Sequence, residues 1–286
     1  MRLIGYDHEG ARHIGSVEGD QLTPLGPVDD FYAAGGDVKA AGDPVPLAGV
    51  THLPPVPKTS RIFCVGINYR SHASEALDLA GLEEPKVPMI FGRWESTLVV
   101  DGDAVPVPPN EGLDWEVELA VIIKDEVWLA DQATALDHVL GYTAFNDLSA
   151  RHKQLETPQF TLGKNPDRSG PIGPVVVTAD EFGDPSNVRV QTRVNGETVQ
   201  DANTSMLIHS IPRIIEYITD TVTLLPGDVI ATGTPSGIGL ALKPPRFMGP
   251  GDVVEIEVEG VGVLRNPIVT REELHASSAN PQGARL

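Results

Sequence analysis

Two glutamates at the start of an apolar run constrain the fold of this chain more than any other feature. Glu116 and Glu118 are two positions apart, and the apolar segment 119–123 follows them directly. In a strand, residues two apart point to the same face, so both carboxylates are expected on one face. Because an unpaired charge is very costly to bury, such a strand must give its carboxylates a partner or expose them to solvent.

A divalent cation would remove the cost of burying both carboxylates. Asp147, later in the chain, can supply a third oxygen ligand. A set of three carboxylates that contains no His or Cys suits a hard ion such as Mg²⁺, Mn²⁺ or Ca²⁺. The alternative interpretation, which fits most isolated Glu-x-Glu pairs, is a solvent-facing pair on an edge strand.

Composition and charge narrow the class of protein. The 286 residues are enough for one large domain or for a small and a larger one. A net charge of −19 argues against nucleic acid and anionic membranes as partners, although a metal and a few cations can still attract an anionic substrate. The single cysteine, Cys64, excludes a disulfide framework and a thiolate zinc site. No apolar run approaches the roughly 20 residues of a membrane helix, and the first residues lack the apolar core of a signal peptide, so we expect a cytoplasmic protein.

Strand and turn signals dominate the chain. Segments 188–194 and 197–200 flank Asn195-Gly196, a pair that supplies both positive φ angles of a type I′ hairpin turn. Segments 253–258 and 261–264 repeat this pattern around Glu259-Gly260. Strands and helices do not alternate regularly, which argues against β/α-barrel and Rossmann architectures.

Two helices and one linker are predicted from local patterns. One helix is expected over about 131–140, and the other over 211–218, where isoleucines recur at i, i+3, i+4 and i+7. Pro212 suits the first turn of the second helix. The proline-rich segment 54–57 is interpreted as a linker.

A histidine and a glutamate form a candidate proton-transfer pair. His72 and Glu75 are three positions apart and share a face if the segment is helical. An imidazole that a carboxylate orients can act as a general base on water. The alternative is a capping pair on the surface of a helix. The polar segment 77–88 that follows is either a lid over a ligand or an ordinary exposed loop.

Other polar residues can hold the oxygens of an anionic ligand. Arg151, Gln154 and Lys164 follow Asp147, and near a metal they would polarise carbonyls or bind oxyanions. The turn 232–239 is rich in glycine, and its amides and threonine hydroxyls can bind an anion, although it lacks the ending of a P-loop. Taken singly, each of these features also fits an ordinary solvated side chain or turn.

The order of these motifs resembles the fumarylacetoacetate hydrolase family. The segments that carry the resemblance are 116–120 (EVELA), 141–151 (GYTAFNDLSAR), Gly163-Lys164, 194–197 (VNGE), 225–235 (LPGDVIATGTP) and 251–255 (GDVVE). The resemblance covers about Arg61 to Val269, and residues 1–55 resemble the small, variable N-terminal domain of the family.

The resemblance implies an architecture. It predicts an α+β protein that is predominantly β, a mixed β-sandwich roll with a small N-terminal domain. The expected boundaries are a β-rich domain over 1–58, a catalytic domain over 59–270 and a C-terminal tail over 271–286. It also implies a homodimer with Mg²⁺ or Mn²⁺ in each centre and a small anionic keto acid as the substrate.

The resemblance assigns roles to individual residues. Glu116, Glu118 and Asp147 match the metal carboxylates of the family. The catalytic residues are then His72, Glu75 and Lys164, and the substrate-binding residues are Arg151, Gln154, Thr234 and Arg93.

Two positions depart from the common pattern of the family. His152 stands where many members carry Asp after the arginine, and Arg93 stands in a segment where many carry Lys. Arginine keeps the charge of lysine but not its shape or hydration. Both departures concern substrate recognition and leave the metal carboxylates unchanged.

The reaction that the resemblance implies is hydrolysis of a carbon–carbon bond in a 2,4-diketo acid of the acylpyruvate type. His72, oriented by Glu75, would activate water, and Lys164 would stabilise the oxyanion with the polar side chains near it. Oxaloacetate decarboxylation and isomerisation of a hydroxymuconate-type 2-hydroxy-dienoate are alternatives at the same metal site. A non-catalytic β-module with a structural Ca²⁺ is the alternative of another class.

Overall fold

The computed structural model describes residues 1–80 and 84–278, in which strands predominate. The strands are β1 (Arg2–His8), β2 (Ala11–Glu18), β3 (Gln21–Pro27), β4 (Val45–Pro46), β5 (His52–Leu53), β6 (Ile62–Gly66), β7 (Met89–Arg93), β8 (Leu98–Val99), β9 (Val105–Pro106), β10 (Leu113–Asp114), β11 (Val117–Ile123), β12 (Val139–Asn146), β13 (Ser149–Ala150), β14 (Gly170–Thr178), β15 (Arg189–Val194), β16 (Glu197–Asn203), β17 (Val229–Ala231), β18 (Val253–Val258) and β19 (Gly262–Val269). The α-helices are α1 (Val28–Ala33), α2 (Arg70–Ala80), α3 (Arg151–Leu155), α4 (Thr161–Lys164), α5 (Ala179–Phe182), α6 (Ile211–Thr219) and α7 (Arg271–Ser278). Short 3₁₀ turns occupy Glu95–Thr97, Ala135–His138, Pro185–Asn187, Thr204–Met206 and Gly239–Ala241.

A large mixed sheet and a smaller sheet form the body of the protein. The larger sheet has the order β4-β3-β2-β1-β14-β12-β11-β17-β6-β7, with β5 and β8 on the side of this path. Its pairs are mostly antiparallel, and β17 pairs with β6 in parallel. The smaller sheet has the order β16-β15-β18-β19-β9. This architecture confirms the predicted fold class.

The N-terminal strands extend the large sheet. Strand β1 pairs with β14 through Arg2↔Val177 and Leu3↔Val176, so β1 to β4 continue the same hydrogen-bonded surface. The proline-rich segment 54–57 is buried against this region, and the Tyr32 hydroxyl donates to the Pro55 carbonyl at 2.8 Å. The linker interpretation of this segment was therefore wrong, because it packs as part of the core. The domain boundary at residue 58 stays a prediction.

Strand β11 is buried on both faces, which explains its unbroken apolar run. Leu119 and Val121 belong to the core between the large sheet, the smaller sheet and α6. Ala120 and Ile122 belong to a second core, which includes residues of β6, β14 and α1. The alternation along the strand places Glu116 and Glu118 on the same side as Ala120 and Ile122.

Helix α6 confirms the predicted isoleucine helix. Ser210 caps its N-terminus through the Arg213 amide, and the four isoleucines are buried in the core that contains Leu119 and Val121. The apolar stripe thus forms because one face of α6 covers the sheet.

The helix expected over 131–140 was wrong in type and length. The structure has only the 3₁₀ turn Ala135–His138 there, and β12 begins at Val139. Val139 pairs with Ile123 of β11, so the partner strand decides the conformation.

The chain after residue 270, expected as a tail, forms α7 over its described part. Both predicted hairpins are confirmed, with Asn195 at φ 52° and Gly196 at φ 81° in the first turn.

The substitution Ile214→Ala tests the packing of α6. Ile214 is completely buried, so its truncation leaves a cavity, and we expect the free energy of unfolding to fall by about 2–5 kcal/mol. Urea unfolding followed by circular dichroism measures this change. Arg213→Ala on the partly exposed side of α6 is the control, with an expected loss of roughly 1 kcal/mol or less. Equal losses in both variants would contradict the assigned core.

None of the helices in residues 1–80 and 84–278 combines the length and the apolar character that crossing a membrane requires.

Candidate metal centre

Three carboxylates converge at the end of the β11–β12 pair. Antiparallel pairing sets Val117 against Asn146, so Asp147 lies beside Glu116, and its amide donates to the Glu116 carbonyl at 3.0 Å. Ligand oxygens of Glu116, Glu118 and Asp147 all lie within 4.8 Å of one another, and all three residues are buried. The predicted cluster is therefore assembled, and the alternative of a solvent-facing glutamate pair was wrong.

Three cations surround the carboxylates. Lys164 bridges two of them, because its ammonium lies 2.8 Å from Glu116 Oε2 and 2.6 Å from Asp147 Oδ2. Arg151 Nη2 lies 2.7 Å from Glu116 Oε1, and Arg93 pairs with Asp147. Burial alone would lower the pKa of Lys164, but the carboxylates of Asp147 and Glu116 raise it above its ordinary value.

Glu118 is the carboxylate that these cations leave uncompensated. Among the described residues no Lys or Arg forms an ion pair with it, and it accepts a hydrogen bond from the Gly233 amide at 2.7 Å. Burial raises the pKa of Glu118 well above its usual range, and the nearby carboxylates of Asp147 and Glu116 raise it further. Burial alone would also raise the pKa of Glu116, but Lys164 and Arg151 outweigh it and lower that pKa to about 2.

The charges around the centre leave room for a cation. The buried carboxylates at the centre are Asp114, Glu116, Glu118 and Asp147, and the buried cations there are Arg93, Arg151 and Lys164. If all four carboxylates are ionised, they exceed the three cations by one negative charge, at Glu118, and a bound cation would stabilise that ionised form. Because every candidate ligand atom is a carboxylate oxygen, the site fits a hard divalent cation.

His72 and Glu75 form the predicted pair on α2. His72 Nδ1 lies 3.2 Å from Glu75 Oε2, and Glu75 Oε1 accepts from the Gly237 amide at 2.9 Å. The carboxylate is thus held by a second element, and the imidazole lines the same cavity as Glu116 and Lys164. This arrangement replaces the alternative of a surface capping pair, because the histidine faces a cavity that Glu116 and Glu118 also line.

Arg151 and Gln154 are hydrogen-bonded to each other, and their expected role in substrate binding stays a prediction. Arg151 Nη1 donates to Gln154 Oε1 at 2.9 Å, and both residues line the cavity. Asp114 accepts from Arg151 Nε at 2.7 Å and from the amides of Gly239 and Leu240. Asp114 therefore holds the Arg151 guanidinium in a fixed position relative to the backbone of Gly239 and Leu240.

Arg93 lies behind the carboxylates rather than in the cavity wall. Its completely buried guanidinium donates to Asp147, to Ser169 Oγ at 2.6 Å and to the Leu148 carbonyl at 3.2 Å. In this position Arg93 can orient Asp147, and its predicted contact with substrate stays a prediction.

At the second departure from the family pattern, His152 Nδ1 bonds to the Asn110 carbonyl at 2.7 Å. Of segment 77–88, for which a lid and an ordinary exposed loop were both left open, residues 81–83 lie outside the described residues, and residues 77–80 belong to α2.

Sequence reasoning missed two buried polar residues, Asp114 and Gln200. A signal for Asp114 was present, because positions 114, 116 and 118 share the period of two that aligned the glutamates. Gln200 lies at the far end of a predicted hairpin and has no comparable local signal. Thr234, which was predicted, lines the cavity and accepts from Gln200 Nε2 at 3.0 Å.

The thiol of Cys64 is expected to be unreactive in the folded protein. Burial raises the pKa of its thiol well above the ordinary value, and the carboxylates of Asp147 and Glu118 raise it further. We therefore expect no reaction with Ellman's reagent at pH 8 over an hour and one thiol per chain after denaturation. Rapid modification of the native protein would contradict the buried position.

Comparison with known proteins identifies the family. Residues 61–269 match the model of the fumarylacetoacetate hydrolase C-terminal domain. The chain belongs to the fumarylacetoacetate hydrolase family. This result confirms the resemblance seen in the motif order, and it makes the chain an enzyme of this family rather than a non-catalytic module.

Relatives of known name fall into more than one reaction class. The mitochondrial oxaloacetate tautomerase of Homo sapiens is 42% identical over 228 residues, which cover 79% of this chain and 71% of the relative. The solved fumarylacetoacetate hydrolase of Exiguobacterium antarcticum is 33% identical with a TM-score of 0.83, over 95% of this chain and 100% of that chain. The solved 2-hydroxyhepta-2,4-diene-1,7-dioate isomerase of Mycobacterium marinum is 33% identical with a TM-score of 0.80, over 95% and 99%. Because the human relative is described as mitochondrial, cytoplasmic localisation stays a prediction.

Proposed function

We propose that this enzyme interconverts the keto and enol forms of a small 2-oxo dicarboxylic acid, with oxaloacetate as its substrate and Mg²⁺ or Mn²⁺ as its metal. The observation that carries the proposal is that Glu116, Glu118, Lys164 and His72 line one cavity. Asp147 completes the carboxylate cluster behind it, and Glu75 holds the imidazole of His72. The likeness to the human oxaloacetate tautomerase supports the choice of substrate.

The metal would be held by Glu116, Glu118 and Asp147. A divalent cation supplies Lewis acidity toward the 2-oxo carboxylate and fixes its orientation. Arg151 and Gln154 line the same cavity and would bind carboxylate oxygens of the substrate. A divalent cation there would stabilise the ionised form of Glu118 and favour the binding of an anion.

The proton transfer would depend on His72 and Lys164. His72 Nδ1 is engaged by Glu75, which leaves Nε2 to accept the C3 proton of oxaloacetate. The C–H electron pair moves into the C2–C3 bond, and the carbonyl π pair moves to oxygen, where the Lys164 ammonium stabilises the enolate. Return of the proton to this oxygen completes the enol, so the reaction consumes neither water nor a second reactant.

Hydrolysis of an acylpyruvate is the second candidate. The hydrogen bond from His72 to Glu75 supports it, because this bond orients the imidazole as a general base. The same imidazole could deprotonate a water instead of a carbon, and attack on the remote carbonyl would then cleave the carbon–carbon bond. Lys164, Arg151 and Gln154 would face the oxyanion in this reaction.

We also propose that the enzyme is a homodimer, as the resemblance implies.

An assay panel tests the proposal. Purified protein with Mg²⁺, Mn²⁺ or EDTA is mixed with oxaloacetate, and the loss of enol absorbance is followed with pyruvate and CO₂ release. Acetylpyruvate, fumarylpyruvate and a 2-hydroxy-dienoate are tested in parallel. We expect metal-dependent acceleration of enol–keto exchange without pyruvate release. Metal-dependent release of pyruvate and a second acid from acetylpyruvate, without acceleration of the exchange, would replace the tautomerase by the hydrolase.

A further inference from the structure

Gln200 is a buried amide whose hydrogen-bonding capacity is completely used. Its Oε1 accepts from the Val117 amide at 3.1 Å and from Thr192 Oγ1 at 2.7 Å. Its Nε2 donates to Thr234 Oγ1 at 3.0 Å and to the Pro235 carbonyl at 2.9 Å. A glutamine side chain has two donors and two main acceptor sites, so every site of Gln200 is occupied.

The partners of Gln200 permit only one orientation of the amide. The Val117 amide can only donate and the Pro235 carbonyl can only accept. Rotating the amide by 180° would set Nε2 against the Val117 N–H and Oε1 against the Pro235 oxygen, leaving two buried polar groups of the backbone unpaired. The NH₂ group of Gln200 therefore faces Thr234 permanently.

This orientation decides the direction of the Thr234 hydroxyl proton. Because Thr234 Oγ1 accepts from Gln200, its own proton must point elsewhere, and among the described residues it meets no acceptor. Thr234 is 3% exposed and lines the cavity that contains Glu116, Lys164 and His72. A buried hydroxyl without an acceptor, at the wall of an anion-binding cavity, is a ready donor to a ligand oxygen.

The loop that carries Thr234 is pressed against the strand of Gln200. Gly237 has φ +97°, and a Cβ atom there would lie 2.2 Å from the Val199 carbonyl. Trp115 Nε1 donates to the Gly237 carbonyl at 3.0 Å, which holds the loop from the other side. The Gln200–Thr234 contact is therefore set by backbone packing on both sides.

We propose that Gln200 is a positioning residue, which holds Thr234 as a hydrogen-bond donor to a carboxylate oxygen of the substrate. The inference rests on the proposed function for the identity of that substrate. It assigns to the smaller sheet, through β16, a part in substrate recognition. Gln200 itself touches neither the substrate nor the metal.

The test uses Gln200→Met, Thr234→Val and the double variant in the intact protein. Mn²⁺ affinity is measured by electron paramagnetic resonance of the free ion. Oxalate affinity in the presence of Mn²⁺ is measured by calorimetry, because its adjacent carboxylates imitate a 2-oxo carboxylate. The KM and kcat for oxaloacetate are measured alongside. Oxalate binding keeps the inference testable if oxaloacetate is not turned over.

We expect Gln200→Met to weaken oxalate binding and to raise the KM by roughly 10- to 100-fold, the effect of losing one hydrogen bond to a charged group. The kcat and the Mn²⁺ affinity should change by no more than about threefold. Thr234→Val should have the same effect, and Gln200→Met should add less than about twofold in the Thr234→Val background, because the two residues act as one unit.

Gln191→Met is the matched control, because it makes the same chemical change on the neighbouring strand β15 at a half-buried position. It should leave all three measurements unchanged. The inference would be overturned if the losses of oxalate affinity in the two single variants multiplied in the double variant. A loss of Mn²⁺ affinity above tenfold in Gln200→Met would also overturn it. So would a parent protein that binds Mn²⁺ but not oxalate, since no ligand oxygen would then reach Thr234.

Discussion

The substitution Glu116→Ala is expected to abolish metal-dependent turnover and to weaken Mn²⁺ binding by at least about 100-fold. Loss of an outer-shell partner already costs 10- to 100-fold in metal affinity, and Glu116 belongs to the cluster that could bind the metal directly. The variant also leaves Lys164 and Arg151 without one of their carboxylate partners. Titration of Mn²⁺ followed by electron paramagnetic resonance measures the affinity, and the oxaloacetate assay measures the turnover.

Glu126→Ala is the control for Glu116→Ala. Glu126 is exposed and lies in the turn after β11, so the variant removes the same charge without touching the centre. It should bind Mn²⁺ like the parent protein. A Glu116→Ala protein that is folded, binds Mn²⁺ normally and turns over oxaloacetate would show that the three carboxylates are not the metal site.

The substitution His72→Ala is expected to separate metal binding from catalysis. His72 lies in the cavity wall on α2 and is absent from the carboxylate cluster, so Mn²⁺ affinity should stay within about threefold of the parent value. Removal of a general base typically lowers the rate by about 10²–10⁴. The kcat at saturating Mn²⁺ should therefore fall by that factor in the oxaloacetate assay.

Glu75→Gln refines this experiment. The amide keeps the size of the side chain and removes the charge that orients His72, so the kcat should take an intermediate value while Mn²⁺ binding stays intact. Ser74→Ala on the exposed side of the same helix should have no effect. Full turnover in His72→Ala would remove the general-base role and leave proton transfer to solvent or to another residue.

Local sequence patterns predicted those elements whose intrinsic conformational preference matches the conformation that their tertiary contacts require. The Asn195-Gly196 turn needs two positive φ angles, which these residues supply at low cost, and the hairpin forms where it was expected. The isoleucine stripe of α6 likewise matches a helix that covers a sheet. The segment 131–140 failed because pairing of Val139 with Ile123 decides where β12 begins, and nothing local encodes this contact.

The site shows the same division. The spacing of Glu116 and Glu118 placed two carboxylates on one face, and the register of β11 with β12 brought Asp147 beside them. For Arg93 the resemblance predicts a substrate contact, which stays a prediction, and the structure adds that its buried guanidinium pairs with Asp147.

The sequence by itself determined the family, the strand-rich class, the three carboxylates and the pair His72–Glu75, because these depend on residue type and on spacings of two or three positions. Only the tertiary structure decided which carboxylate lacks a cation, where Arg93 lies, and that Gln200 reaches Thr234. Those facts depend on contacts between segments far apart in the chain, such as the 34 positions between Gln200 and Thr234. Hydrogen-bond direction and burial in such contacts are fixed by the packing of two sheets, and no local pattern carries them.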